Sequence, residues 1–424
     1  NNPYAGSFRG YGNVQCTYAS AQQIDMLAEQ VDMDPIEFRL KNAQKSGEIT
    51  PQKSLLRECA LDQCLTVAAE ASDFVTKQKQ YIEQRQTEGR YKKGIGLASS
   101  IHNAGGAKIH KSDGCGTMLK VDDYARVTVI TGGSEIGQGI DAVINLIVCE
   151  ELGIPLDHVT LVNNDSDIGP WDVGVHASRT TFIVGEGARR AAHKARVQIL
   201  EAASRFLDLP ADALDLRDTF VVRDADGEKL IKLEKLIRQM HFQPVPEMVM
   251  VTDYYEPLSE PEGADHISDF SAAYSHAVHV AEITVDTLTG EIKVDKVTSA
   301  QDVGRVINRM GLEGQIEGGI AIGLGYGLSE NMQLEEGILK NPGFRDYKVF
   351  TAPEMPEIEH HFIESNCEEG PYGAKGVSEL PTIVIAPAIA NAAYNALGIR
   401  FPNPPLTPEK VARAIWEKKQ GGDN

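Results

Sequence analysis

TMLKVDDYARVTVITGGSEIGQGIDAVINLIV, residues 117–148, changes its period partway along. Residues 117–121 and 125–130 are short apolar runs divided by a polar turn, which predicts a β-hairpin. Beyond Gly139 the apolar residues fall at Ile140, Val143, Ile144, Ile147 and Val148, the spacing of a helix with one buried face. The same order recurs downstream. Residues 277–285 and 291–300 read as a hairpin across Thr289-Gly290, and QDVG at 301–304 leads to a helix beginning near Leu312. The expected fold is therefore α+β, with two similar lobes of hairpins and helices.

Outward from these units the sequence is helical. One helix is predicted at 18–31. A second has Asp34 as N-cap, Pro35 at its first position and Glu37 in its first turn. Others are predicted at 62–86, 183–207 and 381–397, with a last one capped by Thr407-Pro408. The pattern changes beyond Gly89, so residues 1–88 read as the end of one domain and 89–424 as a second domain containing both lobes.

With 424 residues and 42% hydrophobic content the chain can bury a sizeable core in two or more packing units. Its 61 acidic against 41 basic residues give a net charge of −20, which repels a phosphate backbone and argues against nucleic acid as a partner. No run of eighteen apolar residues is present, and Asn1-Asn2-Pro3-Tyr4 lacks the features of a signal peptide, so the expected location is the cytoplasm, away from a membrane. The 6 cysteines include no Cys-x-x-Cys pair and read as reduced thiols. The 11 histidines form no metal-ligand motif, so core, capping or surface roles are expected for each.

Four loops carry residues suited to chemistry. GGSEIGQG at 132–139 opens a helix, where free N–H groups and the helix dipole favour an anion; the other reading is a tight glycine turn before a core helix. ASRTT at 177–181 sets three hydroxyls near a second helix start, suited to a phosphate oxygen or to ordinary N-capping. GPYGAKGVSELP at 370–381 holds Glu379 among glycines and apolar residues. Burial there is expected to raise its pKa and suit it to proton transfer, unless the helix start simply stabilises the carboxylate. FRGYG at 8–12 sets a cation and an aromatic ring among glycines, a holder for a flat substrate or a packed turn.

Together, SFRGYGNVQ (7–15), GSEIGQG (133–139), ASRTT (177–181), GQIEG (314–318) and KGVSE (375–379) resemble, in order and over nearly the whole chain, the molybdopterin-binding subunit of the xanthine oxidase family. The resemblance implies that Arg9 and Ala177 lie near molybdenum, without a direct protein ligand. It also implies that Tyr11 faces the substrate and that Gly137, Gln138, Gly139, Ser178, Thr180, Thr181 and Gln315 surround the pterin. Glu379 matches the family's base, which deprotonates a hydroxyl on molybdenum; that oxygen then attacks an electron-poor carbon while hydride passes to a terminal sulfido or selenido ligand. The family holds its metal through the pterin dithiolene, so no Cys or His ligand set is expected.

The implied function is hydroxylation of an aromatic N-heterocycle such as nicotinate, or of an aldehyde, with water as oxygen source. The alternatives are a 4-hydroxybenzoyl-CoA-type reductase subunit or a non-catalytic cofactor-binding or assembly module. The cofactor implied is molybdopterin, in its cytosine dinucleotide form. On this reading the chain resembles the C-terminal half of the family's subunit, residues 1–88 ending a first molybdopterin-binding domain. A second chain is then expected to complete that domain, as in a split enzyme like nicotinate dehydrogenase, unless the chain is truncated. Iron–sulfur clusters and FAD are expected on further partner chains of a hetero-oligomer, because no four-cysteine set or flavin fingerprint is present.

Overall fold

The computed structural model describes residues 4–108, 111–261, 264 and 267–421. Helices α1 (Asn13–Gln30), α2 (Pro35–Asn42), α3 (Leu61–Ser72) and α4 (Phe74–Arg85) come first. Next are β1 (Tyr91–Gly105), β2 (Cys115–Val121), β3 (Val127–Thr131), α5 (Ile140–Leu152), β4 (Val159–Val162) and α6 (Thr180–Leu207). A small unit follows, of β5 (Leu214–Arg217), β6 (Phe220–Arg223), β7 (Lys229–Lys232) and α7 (Leu233–His241). The remainder is β8 (Met250–Tyr255), β9 (Ala273–Asp286), β10 (Ile292–Asp302), α8 (Arg309–Leu328), β11 (Leu334–Glu335), β12 (Ile338–Leu339), β13 (Glu357–Ile363), α9 (Leu380–Leu397) and α10 (Pro408–Gly421).

The expected repetition is present. One sheet has the order β4-β3-β2-β8 and the other β1-β9-β10-β13. In each, an antiparallel hairpin (β2–β3, β9–β10) runs into a helix (α5, α8). The chain then returns as a strand parallel to the hairpin's second arm, β4 beside β3 and β13 beside β10. A long core helix closes each unit, α6 in one and α9 in the other. The α+β, two-lobed architecture read from the hairpins is the one observed.

Strand β9 is buried at nearly every position because α9 and α3 both pack on it. Helix α9 lies unusually close to β1. A Cβ at Gly94 would stand 2.2 Å from the Ala392 carbonyl oxygen, and one at Gly96 2.0 Å from the Ala392 nitrogen, so only glycine lets the two backbones approach. The outer edge of β1 is capped by that helix: Asn391 Nδ2 donates to Leu97 O (3.0 Å) and Ile95 N donates to Asn395 Oδ1 (3.1 Å). Among the described residues α9 is the one helix long and apolar enough to cross a membrane, and it is buried in this core. Helices α1, α3 and α4 pack on α9, β9, β10 and β1. The cysteines are all unpaired.

The structure corrects several boundaries. Residues 62–86 are two helices, broken where Asp73 takes a left-handed conformation (φ 50°). Helix α1 begins at Asn13, α6 at Thr180 and α8 at Arg309, earlier than the apolar spacing indicated, because their first turns mix polar residues with Val14, Phe182 and Met310 and show no clear period. Asn308 caps α8 by accepting from Gly311 N (3.2 Å). Asp34 caps α2 as expected, accepting from Ile36 N (2.8 Å) and Glu37 N (3.3 Å).

Candidate active site

Five helices, α1, α5, α6, α8 and α9, begin at the rim of one cavity of about 420 Å³ between the lobes. A helix start turns the positive end of its dipole, and any N–H groups left without a partner, towards such a space, which suits a ligand carrying negative charge. The loops before these starts are the ones singled out in the sequence. Arg9, Tyr11, Gln138, Gly139, Ala177, Ser178, Thr180, Thr181, Gln315 and Glu379 all line the cavity. Gly137 does not; it sits outside the lining.

Glu379 is buried at the start of α9 and each of its oxygens accepts a hydrogen bond. Gly10 N donates to Oε1 (3.0 Å), while Ser178 Oγ (2.8 Å) and His102 Nε2 (3.0 Å) meet Oε2. Ser178 Oγ also accepts from Glu379 N (3.1 Å). Burial alone pushes the carboxyl up, but His102, Ser178 and Gly10 N–H outweigh it, and Glu379 is held below the ordinary carboxylate range. The raised pKa expected from the loop's apolar composition is therefore wrong in sign. The donors come from three distant segments that the loop's own sequence does not contain.

Arg9 is also committed. Its Nε donates to Ser378 O (2.8 Å) and its Nη2 to the carbonyls of Ser378 and Gln315, at 3.1 Å for the latter. It staples the start of α8 to the loop that carries Glu379. Ala177 and Ser178 both adopt left-handed backbone conformations (φ 47° and 54°), a strained pair for non-glycine residues. Two features hold them. Gly376 leaves room for the Ser178 carbonyl, which a Cβ there would meet at 1.5 Å. Arg179, fully buried, pairs with Asp113 (Nε–Oδ1 2.9 Å) and Asp172 (Nη1–Oδ2 2.9 Å) and donates to Asp113 O and Gly114 O. Burial and nearby carboxylates push Asp113 up to about 7 despite Arg179.

Tyr11 is partly exposed at the mouth, its ring edge-on to His176 with centroids 6.4 Å apart. The start of α5 departs from expectation. Glu135 folds back so that its carboxylate accepts from the N–H groups of Gly137 (2.6 Å), Gly139 (3.0 Å) and Asp141 (3.3 Å). The chain's own carboxylate takes the place proposed for an anion at GGSEIGQG. Gln138 is held internally, accepting from Ile136 N and donating to Ser134 O. The anion-favouring starts that remain are those of α1, α6, α8 and α9. Sequence reading missed Glu135, His102, Arg179 and Asp113. For His102 no local signal existed, whereas Glu135, two residues before Gly137, was readable as a cap.

The lining offers hydroxyls, amides and N–H groups. Among the described residues no group of three or more His, Cys, Asp or Glu could hold a bare metal ion. Such a donor set fits an anionic organic group that brings its own ligands to its metal.

Comparison with known proteins agrees. A family profile described as molybdopterin cofactor-binding domain matches residues 67–356, and a second with the same description matches residues 1–43. The chain is 28% identical over 420 residues to the xanthine dehydrogenase molybdenum-binding subunit of Escherichia coli O157:H7, covering 97% of this chain and 53% of that protein. It is 27% identical over 422 residues to the aldehyde oxidoreductase of Megalodesulfovibrio gigas, covering 98% of this chain and 42% of that one. The solved aldehyde oxidoreductase of Desulfovibrio desulfuricans superposes with a TM-score of 0.79 at 26% identity, over 97% of this chain and 41% of that chain. Quinoline 2-oxidoreductase from Pseudomonas putida 86 shares the fold, with a TM-score of 0.87 at 23% identity, over 97% of this chain and 53% of that chain. The chain spans about half the length of the curated relatives it matches. With the profile covering most of the sequence and the site built from amide, hydroxyl and N–H donors, the chain belongs to the molybdopterin cofactor-binding domains of the xanthine oxidase family.

Proposed function

We propose that this chain forms the molybdopterin side of an active site that hydroxylates an aromatic N-heterocycle or an aldehyde, with water as the oxygen source and Glu379 as the proton acceptor. The observation that carries the reading is the buried Glu379 carboxylate, kept ionised by three donors at the wall of a cavity where helix starts converge. Relatives named nicotine 6-hydroxylase large subunit and aldehyde oxidoreductase support the two substrate classes.

Thr180 and Thr181 in the first turn of α6, with Gln138, Gly139 and Gln315, would hold the pterin, in its cytosine dinucleotide form, and Arg9 and Ala177 would lie near its metal. When bound, the cofactor supplies two-electron redox chemistry. The chain's own residues orient the substrate and move the proton. Tyr11 and Phe8, both partly exposed at the mouth, offer flat apolar surface to an aromatic ring. Glu379 takes a proton at Oε1, which has only Gly10 N–H as donor, while Ser178 and His102 hold Oε2.

Each turnover leaves two electrons to be passed on, so iron–sulfur and FAD chains are proposed as partners, together with a chain that completes the first molybdopterin-binding domain. Exposed Phe8, Tyr11, Ile136 and Met310 around the cavity supply apolar surface for such a neighbour. The test is Glu379→Gln in the assembled enzyme. The amide is nearly isosteric but cannot take the proton, so turnover should fall by roughly 10²–10⁴-fold or more at full molybdenum content. Near wild-type turnover at full molybdenum content would overturn the assignment.

A further inference from the structure

We propose that His102 is the positioning residue that keeps Glu379 ionised and correctly aimed, an inference that rests on Glu379 being the proton acceptor. His102 lies near the end of β1, where it pairs with Ser275 of β9 just before the register shift between Asn103 and Gly105. That end of the β1–β9 pair grips the loop before α9. Gly376 N donates to Ala104 O (2.8 Å), Ser275 Oγ donates to Gly376 O (2.9 Å), and His102 Nε2 reaches Glu379 Oε2 at 3.0 Å. The backbone contacts fix where the loop runs; the imidazole fixes the carboxylate at its end.

The groups that face Glu379 from the surrounding elements are few. From the loop before α1 come Gly10 N–H, the Arg9 guanidinium and the Tyr11 hydroxyl; from the turn before α6 comes Ser178; from β1 comes His102. Arg9 spends Nε and Nη2 on the carbonyls of Ser378 and Gln315 and makes no hydrogen bond to Glu379 among the described contacts, and Tyr11 adds no positive charge. Ser178 is neutral and is already shared with Glu379 N. His102 is therefore the one side chain in direct contact that combines a donor N–H with the capacity for positive charge. Both partners are buried, at 7% and 6% exposure, so water does not substitute for the imidazole when it is removed. With His102 deleted, the opposition to burial weakens and Glu379 takes up its proton at higher pH.

The test uses the assembled enzyme with His102→Leu, His102→Gln and His102→Asn. The direct readout is an infrared pH titration of the Glu379 carboxyl, assigned by its absence from Glu379→Gln, and it needs no turnover. In His102→Leu the titration should move to higher pH. The acid limb of kcat/KM should move with it, while the plateau falls far less than the roughly 10²–10⁴-fold expected for losing the base itself. His102→Gln, which keeps an N–H at the reach of Nε2 but cannot carry charge, should titrate between wild type and His102→Leu. Should the leucine variant fail to accumulate, His102→Asn, whose shorter amide does not reach Glu379, should titrate above His102→Gln. An unmoved titration in the leucine variant, or equal titrations in the asparagine and glutamine variants, would overturn the role of His102. Near wild-type turnover in Glu379→Gln would instead remove the base, leaving the infrared result to be judged separately.

Discussion

Burial on its own would raise the pKa of Glu379, and the structure opposes burial with three donors drawn from residues 10, 102 and 178. The residue itself was legible in the sequence, as the one carboxylate of the loop 370–379 that directly precedes the helix. The sign of its pKa shift was not, because the donors lie up to 369 positions away in the chain. The position of Tyr11 was legible too, and its consequence is measurable. Its ring stands at the cavity mouth, exposed and edge-on to His176, so Tyr11→Ala should leave molybdenum content intact. The Michaelis constant for aromatic substrates should rise by about three- to tenfold, the equivalent of an aromatic contact of ~0.5–1.5 kcal/mol. Steady-state kinetics on several substrates checks this, and unchanged constants would place Tyr11 outside the substrate pocket.

At the scale of elements, the cavity is made by helix starts. Periodicity located the helices but placed the starts of α1, α6 and α8 too late, since first turns of mixed polar and apolar residues show no clear period. That matters here because those turns are the functional ones: Thr180 and Thr181 are the first two residues of α6. The glycine-rich stretch before α5 shows the opposite outcome. Its N–H groups were legible as an anion site, and the anion is the side chain of Glu135. Glu135→Ala should therefore cost about 1 kcal/mol of stability, the usual worth of a lost helix cap. It should also free the N–H groups of Gly137 and Gly139 next to Gln138. Thermal denaturation of the variant enzyme measures the loss, and an unchanged melting temperature would show that the Glu135 contacts contribute nothing net. The break at Asp73 was invisible for a different reason. An aspartate in the left-handed region ends α3 and starts α4 without the glycine or proline that usually marks such a turn.

For the molecule as a whole, two repeated units set their loops face to face, so one cavity collects residues from position 7 to position 379. The repeat was readable because each hairpin and helix declares its own period; the parallel return strands β4 and β13 were not, being half-buried along most of their length without a clear alternation. The central claim is that this cavity carries molybdopterin in a larger assembly. The partner chains proposed for it should bury roughly 2,000 Å² or more if the assembly is obligate, and the proposal expects the chain to co-purify with them. The most direct test is metal and pterin analysis of the complex isolated through a tag on this chain, with Thr181→Arg as the variant that fills the start of α6. The account predicts about one molybdenum and one pterin per copy of the wild-type chain, as for a tightly held cofactor, and loss of both in Thr181→Arg with the partner chains still bound. A complex without molybdenum, or full molybdenum in Thr181→Arg, would contradict it.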